Sequence, residues 1–222
     1  MLDRSTFTFL KKLKDNNNKQ WFDLNRPAYE LARQNFIDFT NEIIKGIEKF
    51  DSSIAEASLD ARTCISRINR DIRFSKNKTP YKTNFFALIS AGGKKSLMAA
   101  YYLQIEPGNN SFVGGGVYMP LPPDLYKFRQ EIDYGFDEWK AIVQSKKFKQ
   151  LFPAGVQSPE MLKRIPKGYE ESNPAIDYLK MKGYYTFSGY SDSDLQSNAG
   201  LIRILNDYKA TKPLIDFLNR AL

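Results

Sequence analysis

The chain predicts an α+β fold in a single domain, an antiparallel β-meander packed with N-terminal and C-terminal helices. Two patterns carry that expectation. Apolar residues recur at helical spacing over the first 50 residues and again from 122 onward, while residues 62–119 show short apolar runs and strict alternation cut by turns. Helices gathered around a cluster of strands, rather than alternating with them, mark α+β. At 222 residues, with 42% hydrophobic and 14% aromatic side chains, the chain can bury one sizeable core, so 1–222 reads as one domain.

The elements follow in order. Leu10 and Leu13 share a face of a short first helix, which the Asp15-Asn16-Asn17-Asn18 cluster stops. Asn17 or Asn18 suits the N-cap of a turn carrying Trp21 and Phe22. Pro27 opens a longer helix whose Tyr29, Ala32, Phe36, Phe39, Ile43 and Ile47 form one buried face. Ile65 and Ile68 flank a short extended piece, and residues 84–90 form a strand ended by Ala91-Gly92-Gly93. Residues 99–106 alternate as a half-buried strand does, and Pro107-Gly108-Asn109-Asn110 turns the chain into Phe112-Val113. Gly114-Gly115-Gly116 reads as a bulge, with an open site for a ligand near the backbone as its functional alternative. Helices return over 122–152, then a short helix near 176–180, a strand at 183–190, and two closing helices starting near Asp192 and Pro213.

Function has to be sought in residues 62–84. Seven of these 23 residues are basic against one acid, Asp71, so a tenth of the chain holds +6 of a net +8. Concentrated like charge repels in a compact state and calls for solvent, internal carboxylates or an anion. Arg suits bidentate recognition of phosphate or carboxylate, Lys adds a mobile point charge, and the interleaved Phe74 and Tyr81 suit stacking. The expected ligand-binding set is Arg67, Arg70, Asp71, Arg73, Lys78, Tyr81 and Lys82, with Asp71 orienting an arginine and Tyr81 shaping the wall. Bracing of the loop by internal ion pairs and a merely solvated face are the competing structural readings.

Histidine is absent, which excludes a Ser-His-Asp triad, a Cys-His pair and any His-ligated metal. Cys64, the only cysteine, builds neither a disulfide nor a thiolate zinc site and reads as a small buried hydrophobe. Gly92-Gly93-Lys94-Lys95-Ser96 fails as a Walker loop, because Leu88 stands where a glycine is needed and Lys95 where Ser or Thr is needed; it reads as a turn. Asp192 and Asp194 read as helix capping rather than metal ligands, and no metal site or cofactor is assigned. Tyr101, Tyr102, Tyr184, Tyr185 and Tyr190 read as core or edge packing rather than a binding wall. With no long apolar run and no secretory leader pattern, the expectation is a cytoplasmic protein with no membrane partner. Three functional readings stand: a binder of a phosphate-bearing or other anionic small molecule, a histidine-free metal-assisted enzyme on a phosphorylated substrate, and a nucleic-acid or protein interaction module.

The run Arg67-Ile-Asn-Arg-Asp-Ile-Arg-Phe-Ser-Lys-Asn-Lys-Thr-Pro-Tyr-Lys-Thr-Asn84 resembles the signature of a widespread bacterial and fungal family of conserved hypothetical proteins, a domain of unknown function. The likeness extends to Asn16-Asn17-Asn18-Lys19-Gln20-Trp21-Phe22, to Tyr101-Tyr102-Leu103-Gln104-Ile105-Glu106-Pro107, to the three glycines, and to Pro166-Lys167-Gly168-Tyr169. It implies one domain across nearly the whole chain and carries no activity or catalytic residue to transfer. The resemblance also implies an aspartate at the position of Asn77, so any metal or proton role of that carboxylate is not available to this chain.

Overall fold

Capping and amphipathic spacing place the first helices where the sequence puts them. The computed structural model describes residues 1–222, beginning with α1 (Arg4–Asp15), α2 (Lys19–Leu24) and α3 (Arg26–Ile47). The Asn18 side chain accepts from the Trp21 backbone N–H and so caps α2, while Pro27 lies in the first turn of α3. Ala32, Phe36, Phe39, Ile43 and Ile47 are buried along one side of α3. Two short helices, α4 (Ser52–Ala57) and α5 (Ala61–Cys64), each start on an aspartate cap and lead into the strands.

The sheet is an antiparallel meander of β1 (Phe85–Ile89), β2 (Ala100–Ile105), β3 (Ser111–Val117) and, after a helical excursion, β4 (Tyr184–Tyr190), in the order β1-β2-β3-β4. Between β3 and β4 run α6 (Pro122–Tyr134), α7 (Phe136–Val143), α8 (Lys146–Leu151) and α9 (Ile176–Leu179); α10 (Asp192–Leu195) and α11 (Asn198–Asn219) close the chain. This is the α+β architecture expected, built on one hydrophobic core of 47 buried residues. No helix is long and apolar enough to cross a membrane.

One sheet face packs on the helices. Phe85, Ala87 and Ile89 of β1 and Tyr101, Leu103 and Ile105 of β2 are buried, as alternation requires. Phe36 of α3 stacks on Phe85 with centroids 5.2 Å apart, and Tyr208 of α11 meets Tyr101 edge-on at 5.1 Å. Each outer edge of the sheet carries one isolated bridge. Ile65 bridges to Ala87 beside β1, and Gln157 bridges to Tyr185 beside β4.

Three local expectations need correction. The three glycines form no bulge: Gly114, Gly115 and Gly116 pair one-for-one with Tyr102, Tyr101 and Ala100 on one side and with Phe187, Thr186 and Tyr185 on the other. Their composition answers a close approach instead, since a Cβ on Gly114 would strike the Thr186 carbonyl and come within 2.7 Å of the Phe187 Cα. Pro213 does not start a helix; it lies inside α11, on an exposed position. The buried run Ile204, Tyr208, Thr211, Leu214, Ile215 and Phe217 spans it, so packing on β3 outweighs the roughly 3 kcal/mol a helical proline costs. Asp194 caps α10 as expected, in a capping box with Ser191 as the N-cap, but the Asp192 carboxylate accepts instead from the Gly108 and Asn109 backbone N–H groups and ties down the β2–β3 turn.

Candidate functional site

The basic segment leaves α5, runs beside the outer edge of β1, loops out, and returns to start β1. Ser66 N–H donates to the Phe86 carbonyl at 2.7 Å, and Asn69 bridges to Tyr81 where the loop closes. Asn17, beyond the end of α1, clamps that closure: its side chain donates to the Tyr81 carbonyl and accepts the Tyr81 N–H, both at 3.0 Å. The polar cluster that stops α1 thus also anchors the loop.

The predicted site residues part company here. Arg73 folds onto Asp71 in a bidentate pair, Nε to Oδ1 at 3.0 Å and Nη2 to Oδ2 at 2.7 Å, on the exposed surface. Those bonds hold the Asp71 carboxyl below the usual carboxylate range. Arg70 turns inward, donating to the Thr79 carbonyl at 3.0 Å and to the Thr79 hydroxyl, and braces the loop base. Lys78 donates to the Ile72 carbonyl at 3.0 Å across the loop. Tyr81 is buried and lies flat on Phe22. Arg67 is exposed and Lys82 half-buried. A shallow hollow of about 260 Å³ brings Arg70, Tyr81 and Lys82 together with Asn17, Asn77 and Thr79; Arg67, Asp71, Arg73 and Lys78 do not line it.

Charge bookkeeping within the segment is specific. Arg62 has Asp60 at 3.9 Å and Arg73 has Asp71, while Arg67, Arg70, Lys76, Lys78 and Lys82 form no ion pair. Lys82 carries the sharpest conflict. Its ammonium donates to the Ser66 hydroxyl at 3.2 Å, and its pKa falls below the ordinary lysine value, first through burial and then through the charges of Arg67 and Lys94. Lys94 reaches over from the β1–β2 connection to donate to the Ile65 carbonyl at 2.7 Å. Nearby on the sheet, Glu106 accepts from Thr83 and Gln104 and forms no ion pair.

Sequence reasoning placed Lys94 only in a turn and did not single out Ser66. The length of the connection between β1 and β2, ten residues from 90 to 99, was the available signal, because it is too long for a tight hairpin and lets Lys94 swing back across β1. Among the tyrosines, Tyr101, Tyr184 and Tyr190 are core, but Tyr102 and Tyr185 face the uncovered side of the sheet. Elsewhere, Cys64 is buried and burial raises its thiol pKa. No three His, Cys, Asp or Glu side chains gather in a way that would hold a metal ion.

A helix-backed, four-stranded antiparallel meander with a cationic loop laid along one edge is the class this geometry defines. The model of the conserved hypothetical protein family DUF2461 matches residues 5–217, and the chain belongs to that family. Comparison with curated proteins and with solved structures finds no match.

Proposed function

We propose that the protein binds a small anion, carboxylate or phosphate, at the Lys82 end of loop 67–84, with Arg67 and Lys94 sharing the charge and Ser66 donating or accepting beside them. The single observation behind this is the half-buried Lys82 ammonium, held near two further cations with a hydroxyl as its only hydrogen-bond partner. Burying an ammonium among like charges is unfavourable until a counter-charge arrives. Arg70 and Arg73 then serve as braces of the loop, and Asp71 orients Arg73. Inorganic phosphate is the direct probe. It should raise the melting temperature by several degrees at saturation, more than sodium chloride at matched ionic strength does. Lys82→Gln and Arg67→Gln should each abolish most of that rise. Equal shifts in wild type and both variants would defeat the reading.

A second reading rests on the loop tip. Phe74 is 96% exposed, with the Arg73 guanidinium 5.8 Å from its ring centre and Lys76 and Lys78 close in sequence. Bare aromatic surface among cations suits stacking on an unpaired nucleobase. It predicts a single-stranded oligonucleotide complex that weakens steeply with salt and is lost in Phe74→Ala; no band shift at low salt removes it.

A further inference from the structure

The face of the sheet turned away from the helices is uncovered and concave. Phe86 and Leu88 of β1, Tyr102 of β2, Phe112 of β3, and Tyr185 and Phe187 of β4 line a cavity of about 510 Å³ there. The register sets which residues share this face. Leu88, Tyr102, Gly114 and Phe187 form one row across the four strands, and Ala100, Gly116 and Tyr185 form the next. Two alternate positions of β3 carry no side chain because β4 backbone lies where a Cβ would stand, and the hollow is lined instead by the rings around them. The rings pair along the rim, Phe112 with Phe187 at 5.4 Å and Tyr118 with Tyr185 at 5.4 Å. Tyr102 donates its hydroxyl to the Gly116 carbonyl, so it offers the hollow a ring more than a donor.

Volume and lining match a small-molecule site, which typically occupies about 300–1,000 Å³ and is mostly apolar. An isolated bridge on each sheet edge, Ile65 to Ala87 and Gln157 to Tyr185, shortens the edge open to an added strand. None of the lining residues is charged, and the link to charge runs through Phe86. Phe86 lines the cavity at the β1 side, its carbonyl takes the Ser66 N–H at 2.7 Å, and the Ser66 hydroxyl takes the Lys82 ammonium at 3.2 Å. Apolar wall and unpaired cations thus meet at Phe86, whose own row crosses Gln104 to Phe112 beside the Leu88–Tyr102 row.

We infer that the trough holds the hydrocarbon body of an organic acid, an acyl or aryl carboxylate, whose carboxylate sits at Lys82, Arg67 and Lys94. This rests on the anion-binding reading above and adds the substrate class to it. From the Ser66 segment to β3 is three strand spacings, roughly 14 Å, the span of an acyl chain of about ten carbons. The far end of that chain would lie among the rings of Phe112, Tyr185 and Phe187.

The test is a calorimetric series of straight-chain carboxylates from butanoate to decanoate, kept below micelle formation, with decanol as the neutral counterpart and phosphate as the body-less anion. Affinity should rise about two- to fourfold per methylene as the chain fills the trough. Leu88→Gln and Phe187→Gln, both at incompletely buried outer-face positions, should weaken decanoate at least tenfold and leave phosphate unchanged; unaltered melting temperatures confirm that they fold. Lys82→Gln should weaken decanoate and phosphate together and spare decanol. Phosphate binding with no chain-length dependence overturns the trough and leaves the anion site standing. Chain-length dependence sensitive to Leu88→Gln but not to Lys82→Gln overturns the placement of the carboxylate. A dimer in solution that Leu88→Gln dissociates would give this face to a second copy and overturn the proposal.

Discussion

The Tyr81 ring lies flat on Phe22, centroids 4.0 Å apart and planes within 15°, joining the end of the basic loop to α2. Phe22 also meets Tyr29 at 5.0 Å and Phe9 at 6.4 Å, so Tyr81 closes an aromatic cluster contributed by three helices. Truncation there removes packing from the core and the floor from the loop. Tyr81→Ala is expected to destabilise the protein by about 3–5 kcal/mol, read as a lower urea midpoint with little change in slope. Tyr81→Phe keeps the stack and should stay within about 1 kcal/mol of wild type. The same variant should retain the phosphate response; its loss would make the hydroxyl part of the site rather than the ring part of the core.

Gly114 is a position where any side chain meets backbone. Since the obstruction is the Thr186 carbonyl and the Phe187 Cα, no rotamer change relieves it, and β4 itself must shift. Gly114→Ala should cost roughly 1–3 kcal/mol or more by overpacking. Gly93 is the control. It adopts φ +75° with nothing within 4 Å of where a Cβ would stand, and Asn tolerates that conformation. Gly93→Asn should change stability by about 0.5 kcal/mol or less in the same denaturation assay.

The contrast between these residues shows where local pattern suffices. The helices α1 to α3 and the alternation of β2 are legible because periodicity and caps act within a few residues; Asn18 and the Phe36–Phe39–Ile43 face need no distant partner to be recognised. The charge excess of 62–84 is equally plain. How each cation would be employed is not, because the partner lies elsewhere or the choice is geometric: Arg73 turns to an acid two residues away, Arg70 to Thr79, and Lys82 to Ser66. Pro213 misleads for the same reason. A proline read locally starts a helix, while tertiary packing carries α11 through it. The open trough needs the register of four strands, one of them 66 residues beyond its neighbour, and nothing short of that pairing places Phe187 beside Gly114. The sequence held one hint, the unbroken apolar run Phe85–Ile89, which makes both faces of β1 hydrophobic.

Asp71 and Arg73 give a titration with a definite sign. The depressed carboxyl pKa means that the folded state binds fewer protons than the unfolded chain around the ordinary value of 3.8. The pair's contribution is therefore present above that value and lost as the pH falls through the folded one. Both groups are exposed, so Arg73→Gln should leave the neutral-pH melt essentially unchanged. Carboxyl NMR is the sensitive readout. The Asp71 resonance should titrate below the usual range in wild type and move up in Arg73→Gln. An unmoved resonance would mean that the bidentate pair does not persist in solution.

Alkaline pH should unfold the protein through its buried phenols. Tyr101 donates to the buried Asp51 carboxylate at 2.7 Å, Tyr190 to buried Asp207 at 2.7 Å, Tyr208 to the Tyr102 carbonyl at 2.8 Å, and Tyr184 to the Tyr178 carbonyl at 3.1 Å. Burial comes first in raising all four pKa values above the ordinary phenol value of 10.0, and for Tyr101 and Tyr190 the bonded carboxylate adds to it. A phenolate in any of these places would be desolvated, and beside Asp51 or Asp207 it would also face a like charge. Above pH 10 the unfolded chain releases protons that the folded one keeps, so stability falls as the pH rises. Each of the four contributes up to about 1.4 kcal/mol per pH unit. The urea midpoint should drop steeply above pH 10, and the phenolate absorbance of these four should appear only together with loss of the far-ultraviolet helical signal. Tyr190→Phe removes one titrating group but strands the Asp207 carboxylate, so it should flatten the alkaline slope while lowering stability at neutral pH by about 1–3 kcal/mol. Phenolate formation at all thirteen tyrosines with the helical signal intact would contradict the packing of α11 against the sheet.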